Sequence, residues 1–257
     1  MLTAQNVTVR FGALTAVDGV SLSLSAGQWL MLAGPNGAGK STLLNAIAQG
    51  VRYEGRVCLD GKDLRDYRPG ERARRIGVLA QRHDVGYDYT VEEVVGLGRY
   101  AHARGFLGGR DVQGGEMVER ALRLTGMEPL RGKSMRTLSG GEVQRAFLAQ
   151  VFAQDPEILL LDEPANHLDL PFQRHIFGLI QDWLAQPGRA ALCVVHDLSL
   201  ARRYGTHAAL MHRGRCVAQG ETDAVFTPEN LRRVYGMDVH AWMREMLAQW
   251  DKPTQEC

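Results

Sequence analysis

The sequence of 257 residues has little cysteine, no long apolar run and almost no net charge. Its four cysteines are far apart and form no Cys-x-x-Cys pair, which excludes a disulfide framework and a zinc site. This spacing is typical of reduced thiols in a cytosolic protein. The four residues are Cys58, Cys193, Cys216 and Cys257.

The apolar runs, such as residues 158–161, are short. A helix that spans a bilayer needs about 18 apolar residues, far more than any of these runs contains. The first six residues lack the charged and apolar pattern of a signal peptide. We therefore expect any link to a membrane to run through a partner protein. The formal net charge of +1 argues against a nucleic-acid binder that works through bulk charge.

Length and composition favour an α/β fold, either one large domain or a domain with an inserted lobe. Apolar residues make up 45% of the chain, which is enough for a sizeable core. Two strands are expected near the N-terminus, at residues 3–10 and 17–24, where apolar and polar residues alternate.

A glycine-rich loop follows the apolar run 29–33 and leads into a helical pattern that begins at residue 41. The loop fits Gly-x-x-x-x-Gly-Lys-Ser/Thr, whose backbone N–H groups and helix N-terminus bind phosphate. Lys40 is expected to reach the β- and γ-phosphates of a nucleotide, and the Ser41 hydroxyl is expected to bind Mg²⁺. The loop residues are Gly34, Pro35, Asn36, Gly37, Ala38, Gly39, Lys40, Ser41 and Thr42.

Two carboxylates end the apolar strand predicted at residues 158–163. Beside a phosphate loop, an aspartate in the place of Asp162 holds Mg²⁺. Glu163, one residue later, could polarise a water molecule that attacks a phosphate. The simpler alternative is a core strand followed by an acidic turn. It does not explain why two carboxylates directly follow four buried aliphatic residues.

A second loop, residues 138–142, opens the helix predicted at 143–154. Ser139 as N-cap and Glu142 three residues later form a capping box. With Gly140 and Gly141 between them, this loop is either a second anion site at a helix N-terminus or only a capped turn.

Three single residues have two possible interpretations each. Phe11 could stack on an adenine ring or fill an edge of the core. Gln81, after the strand at 76–80, could hold a water molecule or complete the Mg²⁺ shell. His196, after the strand at 190–195, could contact a γ-phosphate or be structural.

Composition divides the chain into four parts. We expect residues 1–83 and 151–220 to form the nucleotide-binding core, and residues 84–150 to form an inserted helical subdomain with a glycine loop at 105–115. A helical tail is expected at 221–257. Its last helix carries five large apolar residues at helical spacing, for which core packing is expected in preference to a groove for a partner. They are Trp242, Met243, Met246, Leu247 and Trp250.

Taken together, these motifs resemble the ATP-binding subunit of an ABC transporter, in the order and spacing of that family, along nearly the whole chain. The resemblance implies a P-loop NTPase core with an N-terminal antiparallel β subdomain and an inserted α-helical subdomain. It also implies ATP hydrolysis with ATP and Mg²⁺ as cofactors.

The resemblance also assigns roles to residues. It implies that Phe11 stacks on adenine, that Gln81 links the nucleotide site to a membrane subunit, and that Asp162 serves the Mg²⁺ site. Glu163 matches the catalytic glutamate and His196 the switch histidine.

The same resemblance implies a homodimer, in which Asp169 belongs to the loop that crosses the interface. Residues 139–142 would contact the ATP bound by the other copy. Glu142 departs from the family, which usually has glutamine there, although Ser139, Gly140 and Gly141 are kept.

Residues 90–102, 166–169, 196–199 and 235–239 are similar to importers of iron-siderophores, haem or cobalamin. This narrower resemblance implies permease subunits in the membrane, an indirect substrate-binding protein and a place at the cytoplasmic face of the membrane. It implies no nucleic-acid partner.

Two other functions compete with transport. A soluble ABC ATPase would act in cofactor assembly or on the ribosome, but ribosomal types usually carry two such domains in one chain. A GTP-dependent switch would need a guanine-reading Asn-Lys-x-Asp, which the sequence lacks.

Overall fold

The computed structural model describes residues 1–81, 88–102, 111, 113–166 and 168–250. Within these ranges the strands are β1 (Leu2–Phe11), β2 (Leu14–Leu24), β3 (Trp29–Ala33), β4 (Glu54–Leu59), β5 (Lys62–Asp63), β6 (Ile76–Leu79), β7 (Ile158–Asp162), β8 (Ala190–Val194), β9 (His207–His212) and β10 (Arg215–Glu221). The helices are α1 (Lys40–Ile47), α2 (Pro69–Arg75), α3 (Val91–Leu97), α4 (Gly114–Leu124), α5 (Gly140–Gln154), α6 (Leu170–Leu184), α7 (Leu198–Tyr204), α8 (Thr222–Val225), α9 (Pro228–Tyr235) and α10 (Val239–Trp250).

The strands form two sheets. One is antiparallel, in the order β2-β1-β4-β5, and includes the two N-terminal strands expected from the sequence. The other has the order β10-β9-β3-β8-β7-β6 and is parallel except for β10, which pairs antiparallel with β9. The predicted α/β class with an antiparallel β subdomain is confirmed.

The parallel strands end at a common edge, which brings the functional motifs together. Asp162 at the end of β7 pairs with Val194 at the end of β8, and Val194 pairs with Leu32 near the end of β3. Because the carboxyl ends of parallel strands collect ligands, the segments that follow these three strands lie at the expected site.

The two faces of the parallel sheet belong to different cores. Along β3, Trp29, Met31 and Ala33 pack into one cluster, while Leu30 and Leu32 pack into the other. This alternation follows from the two-residue period of a strand. All five residues of β3 are buried, as are those of β7 and β8, so the sheet is covered on both sides.

Helices dominate the middle of the chain, as the sequence predicts. Thr90 caps α3 in a capping box with Glu93, and the helix ends at Leu97. Gly98 follows at a point where a β-carbon would lie 2.2 Å from the carbonyl oxygen of Gln150, so the chain packs closely on α5.

The division at residue 84 and most of the glycine loop at 105–115 lie outside the described residues. The division at residue 150 falls inside α5, which continues to Gln154. The domain boundaries therefore remain a prediction.

The tail helix α10 corrects one expectation. Only its first turns pack on the core, through Val239 and Met243. Trp242, Leu247 and Trp250 are 48%, 66% and 89% exposed, and Met246 is also exposed. Core packing was therefore the wrong prediction for these four residues, because the apolar stripe that starts in the core continues beyond it.

No helix in the described part of the chain is both long and apolar enough to cross a membrane.

Candidate nucleotide site

The glycine loop joins β3 to α1 and has the conformation that its sequence predicts. Gly34 and Gly39 have φ values of 144° and 96°. A β-carbon on Gly34 would lie 2.2 Å from the carbonyl oxygen of Met211, and one on Gly39 would lie 2.4 Å from that of Ala16. Glycine is required at both positions, because no side chain would fit and the backbone is left-handed.

Lys40 begins α1 and folds back over the loop. Its Nζ donates hydrogen bonds to the carbonyl oxygens of Gly34 at 2.7 Å and Pro35 at 3.0 Å. Burial lowers the pKa of the ammonium group, while the charges of Glu163 and Asp162 act in the opposite direction. A phosphate placed in the loop would meet a positive charge that is already held above it.

Asp162 and Ser41 bring two oxygen ligands together at the end of the same loop. The Ser41 Oγ donates to the Asp162 Oδ1 at 3.0 Å. Asp162 is 5% exposed, and burial is the main cause that raises the pKa of its carboxyl. A buried carboxylate is costly unless a cation neutralises it, and Mg²⁺ prefers oxygen ligands, so these residues fit the expected ion.

No group of three or more His, Cys, Asp and Glu side chains that could hold a metal occurs among the described residues. This is compatible with Mg²⁺, which usually takes one or two carboxylates and completes its shell with water and substrate phosphates.

Glu163 lies at the centre of a small polar network. Its Oε1 accepts a hydrogen bond from Gln81 Nε2 at 3.0 Å and lies 2.5 Å from His196 Nε2. Its Oε2 accepts one from Asn166 Nδ2 at 3.0 Å. The structure therefore brings together Gln81, Glu163 and His196, which come from three separate parts of the sequence.

An open cleft joins the network to the loop. It is lined by Asn36, Gly37, Ala38, Gly39, Lys40, Ser41, Thr42, Gln81, Glu163 and His196.

Phe11 ends β1 and is 51% exposed. Its neighbour strand, β2, carries Ala16, whose carbonyl closely approaches Gly39 of the loop. The ring is therefore not core filling, and it belongs to a hairpin whose second strand adjoins the loop.

The Ser139 loop and Asp169 do not line the cleft. Ser139 caps α5, and its backbone N–H and Oγ donate to Glu142 Oε2 at 2.7 Å and 2.8 Å. Asp169 caps α6, where its Oδ1 accepts from the Phe172 N–H at 3.1 Å. These residues are placed on helix N-termini, apart from the chain's own phosphate loop.

Two residues of the site escape prediction from the sequence. Asn166 enters the sequence resemblance only within residues 166–169, yet its side chain holds the Glu163 carboxylate. Its position three residues after Glu163, in a turn, is the signal that could have found it. Gln144 is buried on α5 and donates to the backbone carbonyls of Glu163 and Pro164, a contact that no sequence pattern indicates.

Comparisons with known proteins identify the family of this chain. The family model described as "ABC transporter" matches residues 17–166. The ferric enterobactin transport ATP-binding protein FepC of Escherichia coli (strain K12) is 38% identical over 92% of this chain and 87% of its own. The hemin import ATP-binding protein HmuV of Pseudomonas aeruginosa is 41% identical over 93% of this chain and 94% of its own.

A third relative, the uncharacterized ABC transporter ATP-binding protein YvrA of Bacillus subtilis (strain 168), is 37% identical over 94% of this chain. The chain spans 55% of the length of that relative. Among solved structures, a dimeric ATP-binding cassette in a post-hydrolysis state, bound to ADP and Pi, has a TM-score of 0.76 and 26% identity. The match covers 86% of this chain and 99% of that one. The chain therefore belongs to the ATP-binding proteins of ABC transporters, which are ATPases.

Proposed function

We propose that this chain binds and hydrolyses Mg²⁺-ATP as the nucleotide-binding subunit of an importer for a metal chelate such as an iron-siderophore, haem or cobalamin. The observation that carries the catalytic part is the placement of Glu163, held by Gln81 and His196, at the cleft of the phosphate loop. The import part rests on the relatives named for ferric enterobactin transport and hemin import.

The reaction is an in-line attack of water on the γ-phosphate. The loop N–H groups and Lys40 hold the phosphates and stabilise the charge that develops on them. Mg²⁺, when held by Ser41 and Asp162 with Gln81 nearby, would supply further neutralisation of the phosphate oxygens. Phe11 would hold the adenine by stacking.

Glu163 orients and deprotonates the attacking water, and His196 donates a hydrogen bond to the γ-phosphate. This role is supported by the position of His196, which lines the cleft of the phosphate loop with its Nε2 next to the Glu163 carboxylate. A positioned base of this kind typically contributes about 10²–10⁴-fold to a rate.

Two copies would complete each site. The Ser139 loop presents a capped helix N-terminus that its own chain's cleft does not use, and such a terminus binds anions. We assign it to the γ-phosphate of ATP bound by a second copy, with Asp169 in the interface. ATP then favours the closed dimer, and hydrolysis removes that preference.

The transporter would contain permease subunits in the membrane, and the substrate-binding protein would act only through them. Gln81 and the helices α3 to α5 would transmit closure to the permease, with this chain at the cytoplasmic face of the membrane. No role for nucleic acid is proposed.

The test of transport is purification of the tagged chain from its native host in mild detergent. We expect an integral membrane permease to co-purify in stoichiometric amount and to stimulate ATP hydrolysis. Recovery of an active ATPase with no membrane protein would favour a soluble ABC ATPase instead.

A nucleotide competition assay tests the identity of the nucleotide, and we expect ATP to outcompete GTP.

A further inference from the structure

Gln144 is a buried amide that the chemistry above does not use. It lies on α5, five residues after Ser139, and is 6% exposed. Its Nε2 donates hydrogen bonds to the main-chain oxygens of Glu163 at 3.4 Å and Pro164 at 3.3 Å. The amide therefore connects the helix that carries the Ser139 loop to the backbone of the proposed catalytic glutamate.

The backbone at Glu163 needs such support. Glu163 has a φ of 54°, which lies in the left-handed region. This conformation costs free energy for any residue that has a side chain. Its N–H donates to the Val194 oxygen at 3.2 Å, and its carbonyl accepts from the Asn166 N–H at 3.0 Å as well as from Gln144. Strand β8, the turn after β7 and helix α5 thus fix the direction of the carboxylate together.

Helix α5 runs without a break from the Ser139 loop past Gln144. Its 15 residues form a continuous helix, and the capping box ties Ser139 to its first turn through Glu142. A displacement of the Ser139 loop therefore displaces Gln144, and with it the peptide between Glu163 and Pro164.

We propose that Gln144 is a positioning residue that links the two ATP sites of the dimer. Contact of the Ser139 loop with the ATP of the second copy aligns Glu163, which acts on the ATP of its own chain. This inference rests on the proposed function, because it needs ATP to be shared between two copies.

The first test replaces Gln144 by methionine, which keeps the length of the side chain and removes its N–H donors. We expect kcat for ATP hydrolysis to fall about 10- to 100-fold, as for a displaced catalytic group. KM and ATP-driven dimerisation should stay within about twofold of wild type, because Gln144 is buried and does not line the cleft of the phosphate loop. Gln150→Met, about 9 Å further along the same helix, is the matched control and should retain wild-type kcat.

A double-mutant cycle tests the link itself. If Gln144 acts through the Ser139 loop, Ser139→Ala and Gln144→Met together should lower kcat by less than the product of their single effects. If the Gln144→Met protein has a lowered melting temperature, Gln144→Glu is the second variant. A glutamate keeps the size and polarity of the side chain, but its oxygens cannot donate hydrogen bonds to the carbonyl oxygens of Glu163 and Pro164. It should lose at least as much kcat.

Three results would overturn the inference: wild-type kcat in both Gln144 variants, loss of ATP affinity in parallel with kcat, or single effects that multiply in the cycle. Failure of the proposed function would look different, because the wild-type chain itself would then form no dimer when ATP is added.

Discussion

The Nε2 atom of His196 lies 2.5 Å from the Oε1 atom of Glu163, across the ends of the adjacent strands β8 and β7. The histidine side chain is 45% exposed and the glutamate side chain 9% exposed. A carboxylate at this distance requires the Nε2 to carry its proton. A γ-phosphate in the cleft would compete for the same N–H, and the pair would then couple the nucleotide to the proposed base.

Lys40→Ala should abolish tight ATP binding. The ammonium group is buried over the loop, where its charge-assisted bonds to phosphate are strong, so we expect affinity to fall by about 100-fold or more. Isothermal titration calorimetry measures this directly. Lys62→Ala, at an exposed position on β5, is the control and should bind ATP as the wild type does. An unchanged affinity in Lys40→Ala would show that the loop does not bind the nucleotide.

Glu142→Gln should strengthen ATP-driven dimerisation by about two- to fivefold, since it removes a negative charge that would face the phosphate of the other copy. The hydrogen bonds from Ser139 lower the pKa of Glu142, so the carboxyl is ionised at neutral pH. A glutamine oxygen can accept the same bonds and keep the cap.

The matched control is Glu93→Gln, because Glu93 forms the same capping box with Thr90 on α3. Sedimentation equilibrium at several ATP concentrations measures the dimer. Equal strengthening in both variants would show an effect of net charge and not of position.

Asp162→Asn should raise the melting temperature of the nucleotide-free protein by about 2–4 °C, the shift that about 1 kcal/mol produces at this size. Burial raises the pKa of Asp162, so its ionised form costs stability. That cost is complete above the folded pKa and disappears as pH falls below the unfolded pKa. The stabilisation by Mg²⁺-ATP should be lost in the same variant.

Differential scanning fluorimetry with and without Mg²⁺-ATP tests both effects, with exposed Asp66→Asn as the control. A lower melting temperature for Asp162→Asn without nucleotide would show that the carboxylate is stabilising and would contradict this account.

The sequence predicts those parts of the site whose chemistry depends on local spacing. The loop 34–42 requires glycine where the backbone is left-handed, and Ser139 with Glu142 fits the capping pattern of a helix start. Strand ends such as Asp162 are visible because four buried aliphatics precede them. In each case the neighbours along the chain determine the conformation.

The remaining features depend on contacts between distant segments. Gln144 meets Glu163 only because α5 packs beside the end of β7, and nothing within α5 indicates it. The exposure of Trp242 and Trp250 depends on where the core ends below α10, whereas helical periodicity shows only that they share a face.

The most direct test of the central claim is the mass of the Glu163→Gln protein with saturating Mg²⁺-ATP, measured by size-exclusion chromatography with light scattering. We predict a dimer of twice the chain mass, which is lost when Ser139→Arg is added and retained when exposed Ser25→Arg is added. A dimer that persists with Ser139→Arg, or a Glu163→Gln protein that hydrolyses ATP at the wild-type rate, would contradict the account.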